Sequence, residues 1–89
     1  MIKTKITIKG MVQGVGFRYY CYRQATSLGL LGYVKNLYNG DVEIEVEGEQ
    51  GIINDFIQSV QIGPEHSKVT SISIENDKYE KIYTSFSIY

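Results

Sequence analysis

Long apolar runs are missing from this chain. No stretch of its 89 residues approaches the roughly 20 apolar positions of a membrane-spanning helix. Met1-Ile2-Lys3-Thr4-Lys5 alternates polar and apolar residues where a signal peptide would be continuously apolar. Cysteine is nearly absent. With Cys21 alone, a disulfide framework within the chain is impossible, and the count fits a reducing compartment. Excess charge of one sign is also missing. A formal net charge of −1 and a pI of about 5.7 argue against a general nucleic-acid binder, which carries a basic excess. They leave room for a local anion site, because a few oriented amides and one arginine suffice for that. The expectation is a cytoplasmic monomer without a membrane anchor. The length supports one domain, 1–89, and 43% hydrophobic residues provide for a modest core.

What is present is periodicity. Ile6 and Ile8 alternate with Lys5, Thr7 and Lys9, the pattern of a half-buried strand. Phe17, Cys21, Ala25 and Leu28 recur at helical spacing, with Gly29 placed as a helix C-terminal glycine. A second strand is read over 31–38. Asn39-Gly40 is a two-residue hairpin signal. Val42, Ile44 and Val46 alternate with Glu43, Glu45 and Glu47 up to Gly48. Ile53, Phe56, Ile57 and Val60 mark a second amphipathic helix. Val69, Ile72 and Ile74 suggest a fourth strand whose alternation breaks near Thr70. Asn76-Asp77-Lys78 reads as a turn, and Ile82, Thr84, Phe86 and Ile88 as a last strand.

The order β-α-β-β-α-β, with a further strand at the end, predicts an α+β, ferredoxin-like sandwich: an antiparallel sheet with two helices on one face. The first and third strands are then neighbours. Lys5 and Lys9 would face the Glu43, Glu45 and Glu47 row on the solvent side, favouring the pairing by roughly 0.2–1 kcal/mol per pair.

Between the first strand and the first helix lies Gly10-Met11-Val12-Gln13-Gly14-Val15-Gly16-Phe17-Arg18. A strand-to-helix junction exposes backbone N–H groups without helical partners, glycines let them converge, and the helix dipole adds positive potential. Glycine is expected there because a side chain would block the backbone's approach to an anion. Arg18 stands at the helix start, where its guanidinium can take two phosphate oxygens. The segment lacks the Gly-Lys-Ser/Thr of a Walker loop and the third glycine of a dinucleotide fingerprint. Taken alone, it is also compatible with a tight turn and a solvated arginine. Asn36 falls on the same strand face as Val34, toward the helices, where its amide could hold a water by accepting and donating at once. A strand-end asparagine bonded to its own backbone is the bland alternative.

The run Ile8-Lys9-Gly10-Met11-Val12-Gln13-Gly14-Val15-Gly16-Phe17-Arg18 resembles the first acylphosphatase signature without a mismatch. Gly32-Tyr33-Val34-Lys35-Asn36, followed by Gly40, Val42 and Gly48, resembles the second at the right spacings. Tyr33 stands where the family often has tryptophan. The resemblance implies an enzyme that hydrolyses acyl phosphates to a carboxylate and inorganic phosphate, without metal or organic cofactor. It implies that the loop Gln13, Gly14, Val15, Gly16, Phe17 and Arg18 binds phosphate, which would also act as product inhibitor. Arg18 and Asn36 would be catalytic, Asn36 by positioning the attacking water. No side chain in either motif is a plausible base, so a phosphate oxygen of the substrate is expected to take the water's proton.

Other reactive residues have quieter readings. Cys21 lies on the apolar stripe as a buried thiol. His66 has no Asp or Cys cluster beside it, the glutamate row is a solvated face, and Arg23 is solvent-exposed. Tyr19, Tyr20 and Tyr22 are candidates for the rim of the site. The competing functions are a non-catalytic phosphate-binding domain of the same fold and RNA binding on the open sheet face. The second is disfavoured because Lys5, Thr7, Lys9, Glu43 and Glu45 occupy positions where RNA-recognition domains carry aromatics.

Overall fold

The computed structural model of the chain describes residues 2–78 and 82–89. Strand β1 is Ile2–Met11, helix α1 Phe17–Ser27, β2 Leu31–Asn36, β3 Val42–Gly48, α2 Gln50–Ile62, β4 Lys68–Lys78 and β5 Phe86–Ile88. The sheet order is β4-β1-β3-β2-β5. β1 runs antiparallel to both β3 and β4, and β2 runs antiparallel to β3. This is the ferredoxin-like arrangement read from the sequence. The added strand changes the sheet: β5 pairs parallel with β2, so the sheet is mixed. Ile6, Ile8, Val34 and Ile44 from its inner face meet Phe17 and Cys21 of α1 and Ile53 and Phe56 of α2 in one core. Full burial of a side chain such as Phe56 stabilises by about 1.5–3 kcal/mol.

The broken alternation near Thr70 is a β-bulge. Lys9 pairs with Ser71 and Gly10 with Val69, so Thr70 is an extra residue and the strand changes parity there. Gly10 makes this possible. Its φ is +134°, and an added Cβ would lie 2.0 Å from the Lys68 carbonyl oxygen and 2.9 Å from the Thr70 nitrogen. Val69 before the bulge and Ile72 after it can therefore both pack against the core.

Several boundaries differ from the sequence reading. Asn76-Asp77-Lys78 is not a turn but the end of β4, held in register with Ile2-Lys3-Thr4. The last strand does not begin at Ile82; only Phe86–Ile88 pairs. β2 stops at Asn36 rather than at 38. Asn39-Gly40 does not form a two-residue hairpin. The loop is Tyr38-Asn39-Gly40, closed by Leu37 N–H to the Asp41 oxygen (2.8 Å) and Gly40 N–H to the Leu37 oxygen (3.2 Å). Gly40 takes a φ of 96°, the glycine position of a three-residue hairpin loop.

The charge rows face each other as expected, but the ion pairs run diagonally. The register sets Lys5 opposite Glu45, whereas the Lys5 ammonium lies 3.4 Å from Glu43 and that of Lys3 3.8 Å from Glu45. Lys9 lies beyond the glutamates and pairs with Asp41 at 2.7 Å. Glu47 is not on a solvated face: it is 2% exposed, and its Oε1 accepts the Ile82 and Tyr83 amides at 3.3 and 2.6 Å. Ile82 and Tyr83 thus cover this end of the sheet.

Candidate active site

Both ends of the Gln13–Gly16 loop are anchored by buried side chains, Val12 before it and Phe17 after it. Between them the backbone φ alternates in sign. Gly14 (75°) and Gly16 (76°) are positive, while Gln13, Val15 and Phe17 are not. Successive N–H groups in this alternating conformation point to one side and form a concavity for an anion. The demand on the two glycines is torsional. An added Cβ at either would meet no protein atom within 4 Å, so within the protein it is the positive φ, not crowding, that calls for glycine.

Helix α1 opens directly from this concavity. Its N-cap is Gly16, no side chain caps it, and its first turn holds no acidic residue. Its first hydrogen bond runs from Tyr20 N–H to the Gly16 oxygen at 3.0 Å. The amides of Val15, Gly16, Phe17 and Arg18 have no partner among the described residues. Neither a capping side chain nor a carboxylate competes with an incoming anion.

A cavity of about 250 Å³ occupies this corner, lined by Val12, Gly14, Gly16, Phe17, Arg18, Tyr19, Asn36 and Ile88. Arg18 is exposed, and its Nη1 donates to the main-chain oxygen of Tyr89 at 2.7 Å, which steadies the guanidinium at the cavity rim. Asn36 ends β2 on the face of Val34, as the alternation predicts. Its Oδ1 is buried and has no hydrogen-bond partner among the described residues. A buried acceptor left bare costs about 1–3 kcal/mol. Asn36 itself lines the cavity, so a small shift of its side chain would bring this acceptor to a water or a ligand there.

The structure brings Gly14, Gly16, Phe17, Arg18 and Asn36 together. Gln13 and Val15 lie on either side. Val15 faces a neighbouring groove along α1, and the Gln13 side chain turns toward the β2–β3 hairpin. Its Nε2 donates to the Leu37 and Asp41 carbonyl oxygens, both at 2.8 Å. The loop is thereby fastened to the residue that follows Asn36. Asp41, 7% exposed, is fixed in turn by Lys9 and by Asn39 at 3.1 Å. This fastening was missed in the sequence, where a glutamine in a loop carries no signal of its partners. Ile88 and Tyr89 were missed as well, because only the parallel pairing of β5 brings them to the cavity.

Tyr19 rims the cavity as anticipated, Tyr20 lines the adjoining groove, and Tyr22 packs instead against Phe86. Cys21 is fully buried, and burial pushes its thiol well above the ordinary range, so it is no nucleophile. His66 sits in an exposed loop with a φ of 73°. On the open sheet face, burial opposes ionisation of Glu43. The Tyr33 hydroxyl (2.8 Å), Lys5 and Lys35 outweigh it and hold the carboxyl below its usual value. Tyr33 is pushed upward, by burial first and by Glu43 second.

Comparison with known proteins places these features in context. The acylphosphatase family model matches residues 4–88. An acylphosphatase of Thermotoga maritima is 44% identical over 84 residues, covering 94% of this chain and 92% of its own length. One of Chlorobaculum tepidum is 37% identical over 86 residues, covering 97% and 94%. The crystal structure of an acylphosphatase from Bacillus subtilis superposes with a TM-score of 0.97 at 39% identity, covering 100% of this chain and 99% of that one.

Proposed function

The chain belongs to the acylphosphatase family, whose activity is hydrolysis of acyl phosphates, and on that premise we propose that the Gln13–Arg18 loop holds the phosphoryl group while Asn36 orients the attacking water. One observation carries this assignment: Asn36, whose buried Oδ1 has no partner among the described residues, lines the same cavity as Arg18 and the loop glycines.

The chemistry asks little more of the protein. The leaving carboxylate has a conjugate acid with a pKa near about 4, so no general acid is required. Phosphoryl transfer then depends on positioning and on stabilising charge at the equatorial oxygens. Loop amides and the Arg18 fork supply that stabilisation. The water oxygen bonds to phosphorus as the acyl oxygen–phosphorus bond breaks. The water's proton goes to a phosphate oxygen of the substrate, leaving a carboxylate and inorganic phosphate. No step calls for a metal or an organic cofactor. Inorganic phosphate, which retains the bound end of the substrate, is a competitive inhibitor in this scheme. In this reading the protein acts as a monomer in the cytoplasm, the reducing compartment that its single, unpaired thiol fits.

The test is phosphate release from acetyl phosphate by the purified chain, with excess EDTA, in heavy-oxygen water. Label is expected in the phosphate. Label in acetate would place the attack on the acyl carbon, and binding of phosphate without turnover would make this a non-catalytic domain. A loss of activity restored by magnesium would remove the metal-free scheme.

A further inference from the structure

Two grooves adjoin the phosphate cavity, each through different lining residues. One, of about 530 Å³, runs past Asn36 along the β2–β3 hairpin and is lined by Gln13, Lys35, Leu37 and Tyr38. The other, of about 480 Å³, runs along α1 and is lined by residues that include Gly16, Tyr19, Tyr20, Arg23 and Gln24. Only the first contains Asn36; the second is joined to the cavity through Gly16 and Tyr19.

We propose that the acyl group of the substrate lies in the α1 groove, and that Arg23 makes this groove selective for acyl phosphates bearing an anion at the far end. The inference rests on the reading of Asn36 as the residue that holds the attacking water. In phosphoryl transfer the attacking and leaving oxygens are roughly in line through phosphorus. Water held at Asn36 therefore requires the acyl oxygen to depart on the side away from Asn36. Of the two grooves only the α1 groove lacks Asn36, so it is the one assigned to the acyl group, and the hairpin groove is the side from which water enters.

The lining decides what the groove accepts. The exposed Tyr19 ring offers an apolar face, while Tyr20 is fixed as a wall by its hydroxyl bond to the Ser59 oxygen at 2.8 Å. Arg23 stands four residues after Tyr19, one turn along the same helix face. Among the described residues it has no ion-pair partner, and no carboxylate lines the groove. The cation of the hairpin groove differs: Lys35 is held 3.4 Å from Glu43. From Arg18 to Arg23 the helix advances by about 7.5 Å. An acetyl group is too short to span that, whereas a benzoyl group with a para carboxylate has the length and the flat face.

The experiment compares acetyl, benzoyl and 4-carboxybenzoyl phosphate at low ionic strength, using the parent, Arg23→Ala, Arg23→Lys and Lys35→Ala. The readout is the kcat/KM ratio of 4-carboxybenzoyl to benzoyl phosphate within each protein. Comparing this ratio between proteins cancels the electronic effect of the substituent. For an exposed charge pair the ratio should fall about two- to fivefold in Arg23→Ala, mainly through KM. It should be largely retained in Arg23→Lys and unchanged in Lys35→Ala. A fall in Lys35→Ala alone would put the acyl group on the hairpin side and overturn the proposal. No fall in either, or an equal fall in both, would overturn it too. Acetyl phosphate separates the levels of the argument. If the parent hydrolyses it while the ratio ignores Arg23, only the acyl subsite is wrong. If the parent does not hydrolyse it, the catalytic reading fails and the subsite with it.

Discussion

Replacing Asn36 with alanine separates a water-positioning residue from a structural one. The side chain reaches no described protein partner through Oδ1, so its removal breaks no bond there that holds the fold together. Val34 and Val42, its neighbours along and across the sheet, are fully buried in the core that holds this strand. Stability should therefore change by less than about 1 kcal/mol. Turnover should behave differently. Loss of the acceptor leaves the water without a fixed approach to phosphorus, and misplacement on the order of 1 Å costs roughly 10²-fold in rate. That corresponds to about 2.7 kcal/mol of barrier. Phosphate binding by the loop and Arg18 should persist, so the inhibition constant for phosphate should stay within about twofold. The assay is kcat, KM and phosphate inhibition with acetyl or benzoyl phosphate, alongside a thermal melt. A folded variant with full kcat would make Asn36 a bystander. A variant with an equally large drop in melting temperature and activity would make it structural. Either result refutes the reasoning.

Arg18→Ala should weaken phosphate inhibition and nearly abolish turnover, and Arg18→Lys should rescue poorly because a point charge cannot reproduce a bidentate fork; unchanged phosphate inhibition in the alanine variant would leave the site to the amides alone. Gln13→Ala removes both bonds to the hairpin, so stability should fall by about 1–2 kcal/mol and kcat by roughly tenfold; an unaltered kcat in the folded variant would show that Asn36 needs no such fastening. Gly10→Ala forces a Cβ into the Lys68 carbonyl at a positive φ, and denaturant melts should show a loss of about 3 kcal/mol or more; near-parent stability would mean that the bulge yields cheaply. The Glu43 carboxyl titrates lower in the folded chain than in the unfolded one, so its stabilisation is present above about pH 4.3 and is lost as pH falls through the folded value. Glu43→Gln should therefore lose less stability than the parent between pH 6 and pH 3, on the order of one titrating group; equal losses would assign the acid sensitivity elsewhere.

Local rules made most of the framework legible in the sequence. Alternation gave the faces of β1 and β3, helical spacing gave Phe17, Cys21 and Ala25 of α1, and the motif residues Gly14, Gly16, Arg18 and Asn36 do meet at one cavity. These features depend on neighbours a few positions away, and the fold class follows because few topologies accommodate that order of elements. What only the tertiary structure decided involves partners distant in sequence. The parity break at Thr70 is set by Gly10, across the sheet. Glu47 belongs to a row that reads as solvated, yet the amides of Ile82 and Tyr83 cover it. Gln13 finds its acceptors on the β2–β3 hairpin, and Arg18 finds the Tyr89 oxygen 71 positions away. A side chain's type states what it can bond, but which group stands within reach is fixed only when the sheet order brings distant segments together.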